Sequence, residues 1–272
     1  MAMSKAEAHF NNRIFRLTDI AKERLKFLTP IRGYEHKPLL SLEQAVEPLT
    51  SILPAIQNYA NLAKQKCSEP VDGLTQDESA AIMLYSMGWK PLNKCLYVAF
   101  NAALRSMDRE NLKPWLLFLK LFISALSRLP SIPRQTVFRG IKLDLHEHYK
   151  KGKTVSWWGF SSCTSSRKLL DTKQVLGETG PRTIFAIECI SGKDIRKHCY
   201  YQSEDDILLP AATVFKVVGC FDHGSGLHVI QLEETQPPFP FLQMFPRIFL
   251  EKKTIACKLF MTTIFKYSAS LH

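Results

Sequence analysis

Apolar positions recur at helical spacing through the first half of the chain and gather into short runs through the second. Residues 1–37 are polar and mixed, without a clear period, and read as an N-terminal arm, either a short helix or a partly ordered segment. From Ser41 helical signals begin. Ser41 with Gln44, and Thr75 with Glu78, have capping-box spacing, the second just ahead of Ala80, Ile82, Met83 and Leu84. Asn93 to Met107 and Asp108 to Arg128 continue the helical pattern, with Pro114 either tolerated in the first turns of the second or breaking it. After Pro133 the pattern changes to β-type runs separated by polar turns: TVFRGI (136–141), VSWWGF (155–160), TIFAIECI (183–190), TVFKVVG (213–219) and HVIQL (228–232). Helices followed by strands predict one α+β domain over 38–235, with a helical part at 38–132 and a sheet part at 133–235. The tail, 236–272, opens on PPFPF, which cannot pair in a central strand. It continues with Lys and apolar residues mixed, as in an amphipathic surface helix, a helix docked on the domain or an extension.

Composition adds limits. The chain is 46% hydrophobic and 22% charged, an ordinary globular balance, with a formal net charge of +11. That charge suits an acidic ligand, nucleic acid or a membrane surface without choosing among them. No basic run is interleaved with stacking aromatics, so no nucleic-acid partner is expected. The seven cysteines are odd in number, widely spaced and free of C-x-x-C, which offers no zinc pattern and suggests buried thiols. The N-terminus carries no apolar stretch of signal-peptide length, and a cytoplasmic location is expected. Trp115 to Leu126 is the most apolar segment, but it is broken by Lys120 and far short of the ~20 residues of a membrane span, so it reads as a buried helix.

Four segments carry chemistry. In Thr136-Val137-Phe138-Arg139-Gly140 an Arg sits inside an apolar strand; a guanidinium there meets either an internal carboxylate or a phosphate that it grips with two parallel hydrogen bonds. Trp157 to Phe160 runs into Ser161-Ser162-Cys163-Thr164, hydroxyls that either cap the strand end or orient a ligand. No G-x-S-x-G elbow surrounds Ser162, so it is not read as a nucleophile. Gly177 to Arg182 is a turn-rich connection. In Tyr200-Tyr201-Gln202-Ser203-Glu204-Asp205-Asp206, three acids lead into the apolar Ile207-Leu208-Leu209. That segment is either a solvated loop or an extended stretch with Glu204 and Asp206 on one side, a carboxylate pair suited to glycosidic chemistry. No Rossmann G-x-G-x-x-G or P-loop is present.

An Arg on one strand, a Ser-rich strand end and then an acidic pair entering a Leu-rich strand together resemble the R-S-E class of arginine-specific mono-ADP-ribosyltransferases. The resemblance extends over LTQDESAAIMLYSMGW, YKKGKTVSWWGFSSCTSS, LGETGPRTIFAIECISGKDIR and QSEDDILLP, roughly residues 70 to 235, and is nearest to rotifer-like invertebrate members. It implies the ADP-ribosyltransferase type of sheet core, NAD as co-substrate, no metal, and an acceptor protein with an exposed arginine. Arg139 would anchor the phosphates, with Gly140, Ser162 and Thr164 also at NAD. Cys163 stands where the family's Ser-Thr-Ser has Thr, and Thr164 where it has the last Ser. The segment from Ser191 to Glu204 resembles the loop that presents the target, with Tyr200 or Tyr201 as its aromatic. Glu204 matches the first Glu of E-x-E, tied to an arginine acceptor. Asp206 stands where the family has the second Glu, which holds the ribose 2′-hydroxyl and stabilises the cation left when nicotinamide departs. The alternatives are an NAD-binding relative with little or no transferase activity and an NAD glycohydrolase; Gln202-Ser203-Glu204 read as Q-x-E, with Glu204 catalytic, would point to other acceptors or to NAD hydrolysis.

Overall fold

The computed structural model describes residues 28–170, 175–200, 206–237 and 240–244. Both capping boxes close as their spacing demands. Ser41 Oγ accepts the Gln44 N–H while Gln44 accepts the Ser41 N–H, starting α1 (Leu42–Val46), which tightens into a 3-10 turn at Pro48. After α2 (Ile56–Lys66), Thr75 and Glu78 exchange the same bonds to start α3 (Gln76–Ser86). Every residue of α3 from Glu78 onward is buried, which makes it the centre of the helical layer. α4 spans Leu96–Leu104 and α5 spans Leu116–Arg128. The enclosed Glu78 accepts from Arg128 Nε at 2.9 Å, so the buried carboxylate meets a cation from α5. The helix expected from Asp108 differs at its start. Asp108 caps Glu110, but Arg109–Trp115 winds as 3-10, because Pro114 has no N–H for the α pattern; regular geometry begins at Leu116. No helix among the described residues is long and apolar enough to cross a membrane.

The strands follow as β1 (Gln135–Ile141), β2 (Thr154–Trp157), β3 (Ser161–Cys163), β4 (Arg182–Cys189), β5 (Lys193–Asp194), β6 (Ile207–Leu209), β7 (Thr213–Asp222) and β8 (Leu227–Thr235). The fold is thus α+β, an N-terminal helical layer followed by a mostly antiparallel sheet core. Five strands order β1-β4-β8-β7-β2, antiparallel except for β4 with β8, and three order β3-β6-β5. Val137, Phe185, Leu209, Phe215 and Ile230 fill the space between the sheets. Trp158, Phe160, Leu208 and Val214 instead join the helical core.

The run 155–160, expected as one strand, is divided. β2 ends at Trp157, and the chain turns through Trp158 to Phe160 into the other sheet as β3. Asn101 on α4 fixes this corner: its side-chain oxygen accepts the Phe160 N–H at 2.9 Å and its amide donates to the Phe160 carbonyl at 3.1 Å, with Tyr85 Oη donating to the same carbonyl at 3.2 Å. Gly159 is required by close approach, since a Cβ there would lie 2.8 Å from Arg105 Nη2 and 3.1 Å from Asn101 Cγ. The Phe160 ring then packs edge-on to Phe122, with centroids 4.9 Å apart.

Two segments at the margins of the expected domain also pack. Ile31 and Tyr34 are buried; Ile31 N donates to the Phe241 carbonyl at 2.7 Å, Tyr34 Oη donates to the Gln243 carbonyl at 2.6 Å, and Phe241 stacks on Trp158. The possible amphipathic stretch beyond 244 and most of the N-terminal arm lie outside the described residues. Between β5 and β6, the 3-10 turn Arg196–His198 is pinned to the helical layer. His198 Nδ1 lies 2.9 Å from Ser79 Oγ on α3, and its Nε2 lies 3.4 Å from Asp72. Lys193 Nζ donates to the Leu129 carbonyl at 2.7 Å.

Two outcomes follow from these anchors. Asn101→Ala orphans the buried Phe160 N–H, while Tyr85 keeps the Phe160 carbonyl, and is expected to cost about 1–3 kcal/mol in urea denaturation; a loss below about 0.5 kcal/mol, the scale of a neutral surface change, would contradict its anchoring role. Burial holds His198 below its ordinary value near 6.5, against the opposing pull of Asp72. The folded state therefore favours the neutral ring, the unfolded chain binds more protons, and stability declines as the pH falls below about 6.5. His198→Asn should flatten that decline in denaturation midpoints measured between pH 7.5 and pH 5, values either side of the imidazole range; an unchanged slope would remove His198 as its source.

Candidate active site

Arg139 on β1 is 1% exposed, in register with Phe185 of β4, and its Nη1 donates to the Ser162 carbonyl at 2.7 Å. One residue earlier, Phe138 bridges Thr164: Phe138 N donates to the Thr164 carbonyl at 2.7 Å and Thr164 N to the Phe138 carbonyl at 2.9 Å. The five-stranded sheet is thereby laced to β3, and β3 pairs β6 with Ser162 opposite Leu208 and Cys163 opposite Ile207. Asp206 directly precedes β6, is 3% exposed, and its carbonyl accepts from Ile195 N at 3.3 Å on the β5 side. Arg139, Ser162, Thr164 and Asp206 therefore lie on three adjoining strand ends. Alternation puts Ser162, Thr164, Leu208 and Asp206 on one face of the small sheet and Cys163 on the other.

Cys163, on the face of β3 away from the Ser162 side chain, lies within electrostatic reach of both Arg139 and Asp206. Burial pushes its thiol well above the ordinary value; the Arg139 guanidinium opposes that rise, and Cys189 and Asp206 add to it. The thiol stays protonated at neutral pH and is no nucleophile. Ser162 Oγ is a different case: it is buried and, among the described residues, makes no hydrogen bond. Such a hydroxyl costs on the order of 1–3 kcal/mol, and a ligand oxygen or nitrogen would satisfy it. Gly140 turns its missing side chain to the opposite face from Arg139, where a Cβ would lie 2.8 Å from Leu176 Cδ1.

Tyr200 is half-buried against the helical core. Its backbone N–H donates to Ser86 Oγ of α3 at 2.8 Å, and Lys66 Nζ lies 5.3 Å from its ring centroid. Tyr201 and Glu204 lie outside the described residues, as does the rest of 201–205. The described residues on either side of it, Tyr200 and Asp206, are held at α3 and beside β6. Sequence reasoning missed the residues that hold the site from behind, namely Asn101, Ser79 and His198. Asn101 carried a signal, being a polar residue inside the apolar LYVAFNAAL, where a buried amide must find partners.

The family model described as NAD:arginine ADP-ribosyltransferase matches residues 37–237. A comparison with curated proteins returns no match. Among solved structures, the chain is similar to the eucaryotic mono-ADP-ribosyltransferase ART2.2, with 18% identity, 79% of this chain and 95% of that chain covered and a TM-score of 0.55. An ART2.2 mutant in complex with NADH is similar at 19% identity, over 73% of this chain and 85% of that one, with a TM-score of 0.50. The type III effector XopAI from Xanthomonas axonopodis pv. citri shares 15% identity over 87% of this chain and 95% of its own, with a TM-score of 0.52. At such identities the structural likeness describes the fold, and the family match describes the lineage. The chain belongs to the NAD:arginine ADP-ribosyltransferase family, whose reaction is NAD-dependent ADP-ribosyl transfer.

Proposed function

We propose that this protein, a member of the R-S-E class, transfers ADP-ribose from NAD to arginine side chains of an acceptor protein. The observation that carries the reading is the junction of β1, β3 and β6, where the buried Arg139 holds the Ser162 carbonyl and the unsatisfied Ser162 hydroxyl and buried Asp206 lie on the adjoining strands. These groups fit NAD: a guanidinium for the pyrophosphate, a hydroxyl for the ribose or nicotinamide amide, and a carboxylate for the sugar. The ART2.2 mutant's complex with NADH is in keeping with that fit.

NAD supplies the ADP-ribosyl group and a leaving nicotinamide; the rest is done by the chain. Arg139 holds the phosphate side, with Thr164 and only the backbone of Gly140 beside it, since the α-carbon face of Gly140 is turned to Leu176. Ser162 orients the nicotinamide ribose. Asp206 accepts from the ribose hydroxyl and stabilises the positive charge that develops at the anomeric carbon as the glycosidic bond breaks. Glu204 holds the acceptor guanidinium and takes up its proton as the nitrogen attacks, a task that matters because arginine is protonated at ordinary pH. Tyr200 and Tyr201 flank the acceptor. No step calls on a metal.

Asp206 favours a second reading, in which NAD binds and turnover is slow. An Asp in the position of the family's second Glu retracts the carboxylate by roughly 1.5 Å, one C–C bond, and a 1 Å misplacement can cost about 100-fold in rate. Incubation of the full chain with labelled NAD and an arginine acceptor separates the two. Transfer should occur with the parent chain, fall about 100-fold or more in Asp206→Asn, and disappear in Glu204→Gln while nicotinamide release persists. Strong activation in Asp206→Glu, from a nearly inactive parent, would favour the binding-only reading; transfer that survives Glu204→Gln would overturn the arginine assignment.

A further inference from the structure

A second cluster of side chains lies away from the Arg139–Ser162–Asp206 junction. The connection after β1 carries Asp144 and His146, and β8 carries His228 near its start, in register with Thr183 of β4 and with Asp222 of β7. Asp144 Oδ1 lies 2.7 Å from His146 Nδ1 and 3.2 Å from His228 Nδ1. The two imidazoles stack with centroids 4.4 Å apart and an interplanar angle of 16°. His146 Nε2 lies 2.7 Å from Glu147 Oε1. The cluster borders a cavity of ≈ 440 Å³ whose wall also includes Tyr149, Lys150, Cys220 and Asp222.

Hydrogen bonding within the cluster does not account for all of it. Among the described residues, His228 Nδ1 is buried and makes no hydrogen bond, although the Asp144 carboxylate is 3.2 Å away; the separation is short enough, but the atoms are not aligned as donor and acceptor. The three candidate ligand atoms are within 4.8 Å of one another. A tetrahedral ion about 2.0–2.1 Å from each ligand sets its ligands ~3.3 Å apart; the Asp144–His228 separation of 3.2 Å matches, while the 2.7 Å His146–Asp144 hydrogen bond would be replaced by the ion and the stacked rings would turn to bring both Nδ1 lone pairs onto it. With Nδ1 of His146 turned to an ion, its Nε2–H would donate to Glu147, the carboxylate–histidine–metal arrangement that fixes a ligand ring. The backbone is braced as well: Thr183 Oγ1 donates to the Leu143 carbonyl at 2.8 Å and accepts from Leu145 N at 3.1 Å, on either side of Asp144.

We propose that Asp144, His146 and His228 form a binding site for one divalent transition-metal ion of the zinc class, with its fourth position open to the cavity. Two imidazole nitrogens and a single carboxylate select borderline ions over magnesium or calcium, which prefer all-oxygen shells. The bound ion ties the β1–β2 connection to β8. It lies outside the proposed transfer chemistry, and its ligands come from segments far apart in the chain, which is why a search for closely spaced cysteines did not find it.

The test is calorimetric titration of chelator-treated full chain with Zn2+ alone, beside Asp144→Asn, His228→Ala and the double variant His146→Ala/His228→Ala, each checked for native circular dichroism. The parent should bind one equivalent, at least tenfold tighter than either single variant, and its thermal midpoint should rise with Zn2+ while that of the double variant does not. Co2+ should give a d–d absorption band in the parent that the double variant lacks. Stoichiometric binding that survives in the double variant, no binding by the parent, or equal competition by Mg2+ would each overturn the proposal.

Discussion

The buried guanidinium of Arg139 is the constraint on which the site depends. A charge enclosed to 1% exposure is tolerated only where polar groups receive it, and the Ser162 carbonyl, 2.7 Å from Nη1, is one of them. That bond and the Phe138–Thr164 backbone pair lace the edge of the large sheet to the small one. The Ser131–Lys193 bridge and the core between the sheets hold the two together elsewhere, but these bonds are the ones that set Ser162 directly against the arginine.

The helical layer holds this junction in place. Trp158 and Phe160 leave the sheet to enter the helical core, and Asn101 accepts and donates at Phe160 as the chain turns from β2 into β3. On the far side of the site, Ser79 and Ser86 of one helix hold His198 and Tyr200, the residues that lead toward 201–205. A single buried helix, α3, thus holds His198 and Tyr200 while α4 steadies the hydroxyl-bearing strand. Orientation of reacting groups within about an ångström is what such a scaffold contributes to catalysis.

Much of this was legible in the sequence. The capping boxes at Ser41 and Thr75, the change from helical to strand-like spacing after Pro133 and the positions of β1, β4, β7 and β8 all follow from local chemistry. The division of 155–160 between two sheets was not legible, because apolar residues look alike whichever core they enter; the bonds from Asn101 and Tyr85, distant in sequence, mark where the strand breaks. At the segment from Asp108, Pro114 allows either tolerance in the first turns or a break, and the 3-10 stretch up to Trp115 answers to the second. The order of Arg139, Ser162 and the acids marked the site residues as candidates, whereas the bonds that brace them from α3 and α4 are tertiary and leave no spacing to read. The Asp144, His146 and His228 cluster is likewise assembled by the pairing of β4 with β8.

Binding of NAD to the full chain, followed by calorimetry beside Ser162→Ala and Arg139→Lys variants that retain the parent's circular dichroism, tests the central claim most directly. The account predicts one NAD per chain, with affinity reduced about tenfold or more in Arg139→Lys, because lysine cannot reproduce the planar fork on a pyrophosphate, and a smaller loss in Ser162→Ala. NAD affinity that is unchanged in both variants would contradict a pocket built where β1, β3 and β6 meet.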